Sequence, residues 1–537
     1  MKSPYKHLIL FLLTLTILSV AGCKKLKNPT DGVQVIINYD LIETTFSVKF
    51  IDAATGELIG QNGDKKVNIK IGGEHADAVI DVSGLQKPEY ESSNGFLELA
   101  LNPNTDPSPQ NPVKFTIVAS TDGYLSTSKF VEIGSRDRLM FEIKMVDVNN
   151  PPNGVSRIVD NSGEADPEGR IVSDITVNTP NGNASLRIPS GTILKSKSGE
   201  LLTGGIEVQL THFSNMEDES LQSFPGGLNT NVQQPDGSYE RALFFSAGFV
   251  ALEIMDEDGT LADTVLVNPL ELTMQVPEQT YNPNSEGGVS AGDSIPVWSY
   301  NENTGEWNYE STDVINTGSR ESYQVTTEMW HLSWWNWDWP WWWVCYEGLI
   351  IHFESDEYYC PCYWWNVQVR NPFNNTLMWN TYMYACQNDP VHLWNAPGGL
   401  PVNMYFSDQC GNVNTELDFY YEENLCAADE LWIYFYAEEM GQTVEVDISA
   451  YCASNPDYII RPTLSYWVRE ANDWCFRWFE LVNGHGELCG VELGETYVIG
   501  IYLDDTWYEH EFTIDQSYYV EHGIELPAEV CSEVFGL

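Results

Sequence analysis

Three observations predict an all-β chain of tandem β-sandwich domains behind a lipoprotein signal peptide. Nearly every periodic segment alternates apolar and polar residues at period two and stops at Gly, Pro, Asn or Asp, with no long stretch of helical periodicity. The length of 537 residues exceeds what one hydrophobic core organises and suggests about three to five domains. An apolar run near the N-terminus ends on small residues and a cysteine. Composition sets the outer bounds. With 43% hydrophobic and 13% aromatic residues the chain is too apolar to be disordered. With 26 Lys plus Arg against 78 Asp plus Glu, a net charge of −52 excludes nucleic acid as a partner, because that affinity comes from Lys and Arg displacing counterions on phosphates.

At the N-terminus, Lys2 and Lys6 precede the apolar run Leu8 to Val20, which is too short to cross a bilayer comfortably. The following Val20-Ala21-Gly22-Cys23 resembles the bacterial lipobox. That resemblance implies a signal peptide over 1–22, acylation of Cys23, a tether over 23–32 and outer-membrane lipid as a partner, since several acyl chains anchor stably. Lys24, not Asp, follows Cys23, which favours the outer membrane. In Bacteroidetes-like bacteria surface export favours acidic residues just after the Cys, whereas Lys24, Lys25 and Lys27 are basic, so the membrane face stays open.

The region 33–148 contains strands such as Val33–Tyr39, Phe46–Ile51, Val67–Ile71, Phe96–Leu101 and Phe115–Val118. Its ordered set Asp52-Ala-Ala-Thr-Gly-Glu57, Asn94-Gly95-Phe96, Asp122-Gly-Tyr124 and Phe130-Val-Glu-Ile133 resembles the carboxypeptidase regulatory-like (transthyretin-like) sandwich. After the linker Asn149–Asn153, the region 154–339 carries Ala184–Gly191, Phe245–Asp256 and Ile295–Trp307, and closes on Trp330-His-Leu-Ser-Trp-Trp-Asn-Trp-Asp338. This order is similar to the β-rich module of cartilage intermediate layer protein, a resemblance that brings no activity with it. Asn303-Thr-Gly305 reads as a tight turn across which Trp298 and Trp307 pair. The regions 344–436 and 440–537 read as diverged copies: each has an Arg-bearing aromatic strand, one ending at Arg370 and the other at Arg469, and a later strand ending in Asp, at Asp408 and Asp504.

Beyond Cys23, all ten cysteines lie in these last two regions. Cys345, Cys360, Cys362, Cys386, Cys410 and Cys426 precede Met440, and Cys452, Cys475, Cys489 and Cys531 follow it. Two even sets predict disulfides closed within each domain in an oxidising compartment, with connectivity open. No C-x-x-C pair supports a metal site. From Cys345 onward, 4 Arg and no Lys against 32 Asp plus Glu give 4 − 32 = −28. Such a surface is solvating, although clustered carboxylates such as Asp256-Glu-Asp258 would also suit Ca²⁺; a turn is the favoured reading there and no cofactor is assigned.

Catalytic patterns fall away. Gly288-Val-Ser290-Ala-Gly292 matches a nucleophile elbow but lacks the strand-to-helix context. No H-E-x-x-H, P-loop or dinucleotide fingerprint is present. The outstanding feature is eight Trp between Trp330 and Trp343. Core packing is the default for the run, while Trp341, Trp342 and Trp343, with Trp364 and Trp365, are candidates for stacking on sugars. The sequence therefore predicts a non-enzymatic, lipid-anchored envelope protein: a rod of four sandwiches that scaffolds or adheres to an envelope protein or polysaccharide. The alternative is a carbohydrate-binding lipoprotein using those exposed Trp.

Overall fold

The computed structural model describes residues 44–526 apart from short interruptions, the longest at 356–361, together with the strand Val35–Ile37. Cys23, Cys360 and Cys531 lie outside the described residues. The described chain is nearly all β, as its period-two patterning requires, with one 3-10 turn and one four-residue helix among the described elements.

The first domain is a sandwich. One sheet runs Val79–Asp81, Phe96–Leu101, Thr45–Asp52, Leu139–Met145, and the other Tyr90–Glu91, Asn68–Gly72, Val113–Ser120, Thr127–Ile133. Phe46, Val48 and Phe50 alternate into the core, where Phe46 meets Phe115 at 5.5 Å. Ser47 and Lys49, on the opposite face of the same strand, are buried as well. A strand at a free sheet surface exposes that second face, so something covers it.

In the second domain a seven-stranded sheet packs on a five-stranded one. The 18-residue strand Tyr239–Asp256 pairs with Asn229–Gln233 and also with Trp334–Trp341, so part of the larger sheet closes on itself. Phe244, Trp298 and Trp307 meet inside this closure. The turn at Gly305 forms as expected, with φ 76°, but its rungs are Trp298 with Tyr309 and Tyr300 with Trp307, not Trp298 with Trp307. The four-residue loop between Asn301 and Glu306, which are themselves paired, sets this register, and a bulge between Val297 and Trp298 changes it only beyond Trp298.

The third and fourth domains share a core strand arrangement, which the first domain also has in its parallel pairing of Thr45–Asp52 with Leu139–Met145. In each, the first strand (Leu349–Glu354; Gln442–Cys452) pairs in parallel with the last (Glu430–Ala437; Tyr518–Leu526). On its other side it pairs antiparallel with Val391–Leu393 in the third domain, and with His485–Val491 and Asn455–Ile460 in the fourth. The facing sheet places one strand (Cys362–Arg370; Leu464–Glu470) between a hairpin partner and a later strand (Val402–Asp408; Thr496–Leu503).

Three expectations need correction. Of the Val33–Tyr39 segment, the described part Val35–Ile37 does not pair with the first sandwich but runs parallel to Asn455–Ile460 of the fourth. The domains do not form a rod, because the first contacts all three others. Thr116 Oγ1 donates to Thr304 O of the second domain at 2.7 Å, Tyr382 of the third donates to Glu142 Oε2 at 3.0 Å, and Phe96 stacks on Trp507 of the fourth at 4.4 Å and 6°. Finally, the disulfides do not all close within domains. Cys345–Cys426 and Cys362–Cys386 do, but Cys410–Cys475 joins the third domain to the fourth. The one bond across Met440 leaves five other cysteines before it and three after it, so even counts did not determine the pairing. Cys452 is disulfide-bonded, and Cys489 is a buried thiol rather than half of a disulfide, with Thr443 Oγ1 donating to its sulfur at 3.7 Å.

Candidate functional site

The Trp run is structural. Along Trp334–Trp341 the first six residues are buried on both faces. Two of its buried indole N–H groups have acceptors: Trp337 Nε1 donates to Thr327 Oγ1 at 2.8 Å and Trp339 Nε1 to Ser294 O at 3.0 Å, whereas the buried Trp335 Nε1 has no hydrogen-bond partner. Between them Asn336 and Asp338 are fully buried, and Asn336 Nδ2 donates to Asp338 Oδ2 at 2.7 Å. Burial pushes the Asp338 carboxyl up to about 7.

The five Trp proposed to read sugars divide sharply. Trp364 and Trp365 are buried, the first edge-on to Trp478 of the fourth domain and the second stacked on Phe353 at 4.4 Å. Neither is available to a ligand, because the Cys362–Arg370 strand is covered on both faces at these two residues. Trp341 donates to Gly398 O of the third domain at 2.8 Å, and Trp342 packs on the core. Trp343 is 58% exposed, but its ring lies against the Gly399 backbone, where an added Cβ would sit 2.3 Å from it. An added Cβ at neighbouring Gly398 would sit 2.0 Å from Cys426 Sγ. Gly398-Gly399 is thus a close-approach point, and Trp341 to Trp343 form the joint between the second and third domains.

A second buried centre lies between the first and fourth domains. Glu98 Oε1 accepts from Ser47 Oγ at 2.5 Å and from Trp467 Nε1 at 3.2 Å, while Lys49 Nζ sits 4.9 Å from the Trp467 ring. Desolvation pushes Glu98 up to about 7 and Lys49 down to about 8. This is what covers the outer face of Thr45–Asp52. Where the first three domains meet, a cavity of about 660 Å³ is lined by Lys129, Glu132, Glu142, Arg241, Tyr382 and Trp394, among others. Arg241 pairs with Glu132 at 2.8 Å, and burial holds the Lys129 ammonium below its ordinary range. Its charged groups are mostly engaged with one another, which suits a domain joint.

Other sequence candidates resolve into turns. Ser290 follows the short Gly287–Gly288 strand, and its N–H donates to Asp293 Oδ2 at 2.9 Å. Asp256 Oδ1 accepts the N–H groups of Asp258 and Thr260, and Gly259 carries φ 78°.

Sequence reasoning missed an exposed aromatic row. On Glu430–Ala437, Leu431, Ile433 and Phe435 point inward, whereas Trp432, Tyr434 and Tyr436 are 44%, 47% and 47% exposed. His352, opposite Trp432 on the parallel neighbour strand, stacks on its indole at 4.0 Å and 4°. The signal was present in Glu-Leu-Trp-Ile-Tyr-Phe-Tyr-Ala, but with apolar residues on both faces the alternation is hard to see.

The architecture defines the class: an all-β protein of tandem sandwich domains. No family model and no curated protein matches the chain. Among solved structures it is similar to a streptococcal ancillary pilin, at 8% identity and TM-score 0.15, over 44% of this chain and 94% of the other. It is likewise similar to the major pilin subunit of Bacillus cereus, at 7% identity and TM-score 0.15, over 90% and 99%. The Bacillus anthracis TIE protein gives 11% and TM-score 0.14, over 70% and 58%. At these scores the likeness carries no argument.

Proposed function

We propose that the chain is a non-catalytic, lipid-anchored envelope protein whose four domains, locked together, serve as a scaffold or adhesion module. The observation that carries this reading is the interlocking itself: the pairing of Val35–Ile37 and the buried Glu98 centre tie the N-terminal part of the chain to the fourth domain, and the Cys410–Cys475 bond ties the fourth domain to the third. Groups that could do chemistry, Glu98 and Asp338 foremost, are already committed to hold these contacts. An acylated Cys23 would lie twelve residues before Val35, a reach of at most about 43 Å, which would keep the body close to the membrane. Metabolic labelling with a palmitate analogue and membrane fractionation test the anchor. The wild type is expected to be labelled and to sediment with outer membrane, and Cys23→Ala to be unlabelled and soluble; label or sedimentation unchanged by Cys23→Ala overturns the anchor.

A further inference from the structure

The exposed row on Glu430–Ala437 lies on the outer face of the sheet ordered Val391–Leu393, Leu349–Glu354, Glu430–Ala437, Val413–Thr415. Residues at alternate positions on one strand share a face and lie about 6.8 Å apart, so Trp432, Tyr434 and Tyr436 form a line about 14 Å long. His352 covers one face of the Trp432 indole, and the exposure that remains belongs to its other face and edge. Carboxylates border the line. Glu430 begins the strand, Glu354 sits opposite Tyr434 in the register, and the Glu416 N–H donates to Tyr434 O at 2.8 Å. His352 Nε2 lies 3.3 Å from Glu430 Oε2.

Exposed ring faces in a line bind ligands that present flat, weakly polarised surfaces at regular intervals. Three such ligands are polynucleotides, the membrane interface and sugar chains. The first two need cations in the site, since base-stacking grooves and interfacial aromatic anchors both work beside Lys and Arg. The stretch from Cys345 onward has no Lys and a net charge of −28, and the line is flanked by Glu on both sides. Both are repelled, as is any polyanionic glycan. A broad protein partner is also a poor fit, because interface cores are depleted of charge and this apolar stripe is one residue wide between carboxylates.

What remains is a chain whose C–H faces stack on the rings and whose hydroxyls donate to the flanking carboxylates. We propose that Trp432, Tyr434 and Tyr436 form a binding site for a neutral, linear polysaccharide. This deepens the reading of the folded body as an interaction module and is independent of the anchor.

The mature protein is run by native affinity electrophoresis in gels containing a soluble neutral β-glucan, a neutral xylan, or the polyanion polygalacturonate. Retardation by at least one neutral polymer and not by polygalacturonate is expected. Trp432→Ala combined with Tyr434→Ala should weaken it at least tenfold with the melting temperature nearly unchanged, and Tyr436→Ala more modestly. Should the double variant fail to fold, Tyr436→Ala alone decides. No retardation by either neutral polymer, retention undiminished in the variants, or preference for polygalacturonate overturns the proposal. So does a dimer in light scattering that the same substitutions split, because the occupant would then be a second copy. Cys23→Ala, which removes the proposed anchor, should leave retardation unaltered, so failure of one idea is distinguishable from failure of the other.

Discussion

Two aromatic strands of this protein read alike and do opposite things. Trp334–Trp341 and Glu430–Ala437 are both eight residues long and dense in aromatic rings. In the first, Trp334, Trp335, Trp337 and Trp339 and the polar pair Asn336 and Asp338 are all buried, because the strand closes part of a sheet with layers on both sides. In the second, the inward residues are Leu431, Ile433 and Phe435, and the rings Trp432, Tyr434 and Tyr436 are left outside. What separates them is how many layers cover the strand, a property of topology rather than of residue type. Burial asks for acceptors, and the indole N–H groups of Trp337 and Trp339 have them, whereas that of Trp335 does not.

The largest effect should come from testing that contrast directly. Trp337→Ala removes a fully buried ring and leaves Thr327 Oγ1 without its donor, and should cost about 3–5 kcal/mol in denaturant unfolding. Trp432→Ala should cost under about 1 kcal/mol, the range of surface substitutions. Equal costs would erase the distinction between the two strands.

The covered face of Thr45–Asp52 allows the next test. The fourth domain lies over it and is tied to the third by Cys410–Cys475. Cys410→Ser with Cys475→Ser should lower stability by up to about 4 kcal/mol, and should raise hydrogen exchange at Ser47 and Lys49 more than in the interior of the second domain. An exchange pattern unchanged at the Ser47 face would mean the cover is held without the bond.

How much of this could be read in advance differs by level. Period two and turn residues suffice to find the sandwiches, because both act locally: Thr45–Asp52 and Phe96–Leu101 lie where alternation put them. Pairing partners are not local. Val33–Tyr39 looks like any first strand, and nothing within it says that its mate lies some 420 residues on, at Asn455–Ile460. The cysteine count failed for the same reason. Trp364 and Trp365 looked exposed only while the domains were imagined as a rod; once they fold back on one another, two adjacent indoles on one strand find a core on each side. The aromatic row was legible in composition but not in direction.

Acidity probes the same cover with a smaller effect. Glu98 has an ordinary value of 4.5 and is raised to about 7 by burial, so between those values the folded protein holds a proton that the unfolded chain has lost. Its contribution is fully present below pH 4.5 and is lost as pH rises through 7, by on the order of 3 kcal/mol. Asp338, also raised to about 7, acts with the same sign in the second domain. Lys49, lowered to about 8, acts oppositely but only from pH 8 upward, where losing its proton relieves a buried charge. Glu98→Gln should therefore flatten part of the stability decline between pH 5 and pH 8 and leave the Asp338 share. A decline of undiminished slope in the variant would show that water reaches this interface.

The smallest effect concerns a cover that is not fully dry. Tyr382 of the third domain donates to Glu142 Oε2 of the first at 3.0 Å, and Glu142 lies 3.7 Å from Lys144. Both Tyr382 and Glu142 line the cavity of about 660 Å³, which has room for water beside them. Tyr382→Phe deletes one hydroxyl and little else. If water takes its place on the carboxylate, the loss is that of one hydrogen bond, about 1 kcal/mol; if the wall stays dry, Glu142 is left a buried charge short of a donor and the loss approaches about 3 kcal/mol. The cavity's polar lining predicts the smaller figure. Denaturant unfolding of Tyr382→Phe beside Trp337→Ala then ranks the interiors: the closure of the second domain excludes water, and the three-domain junction admits it.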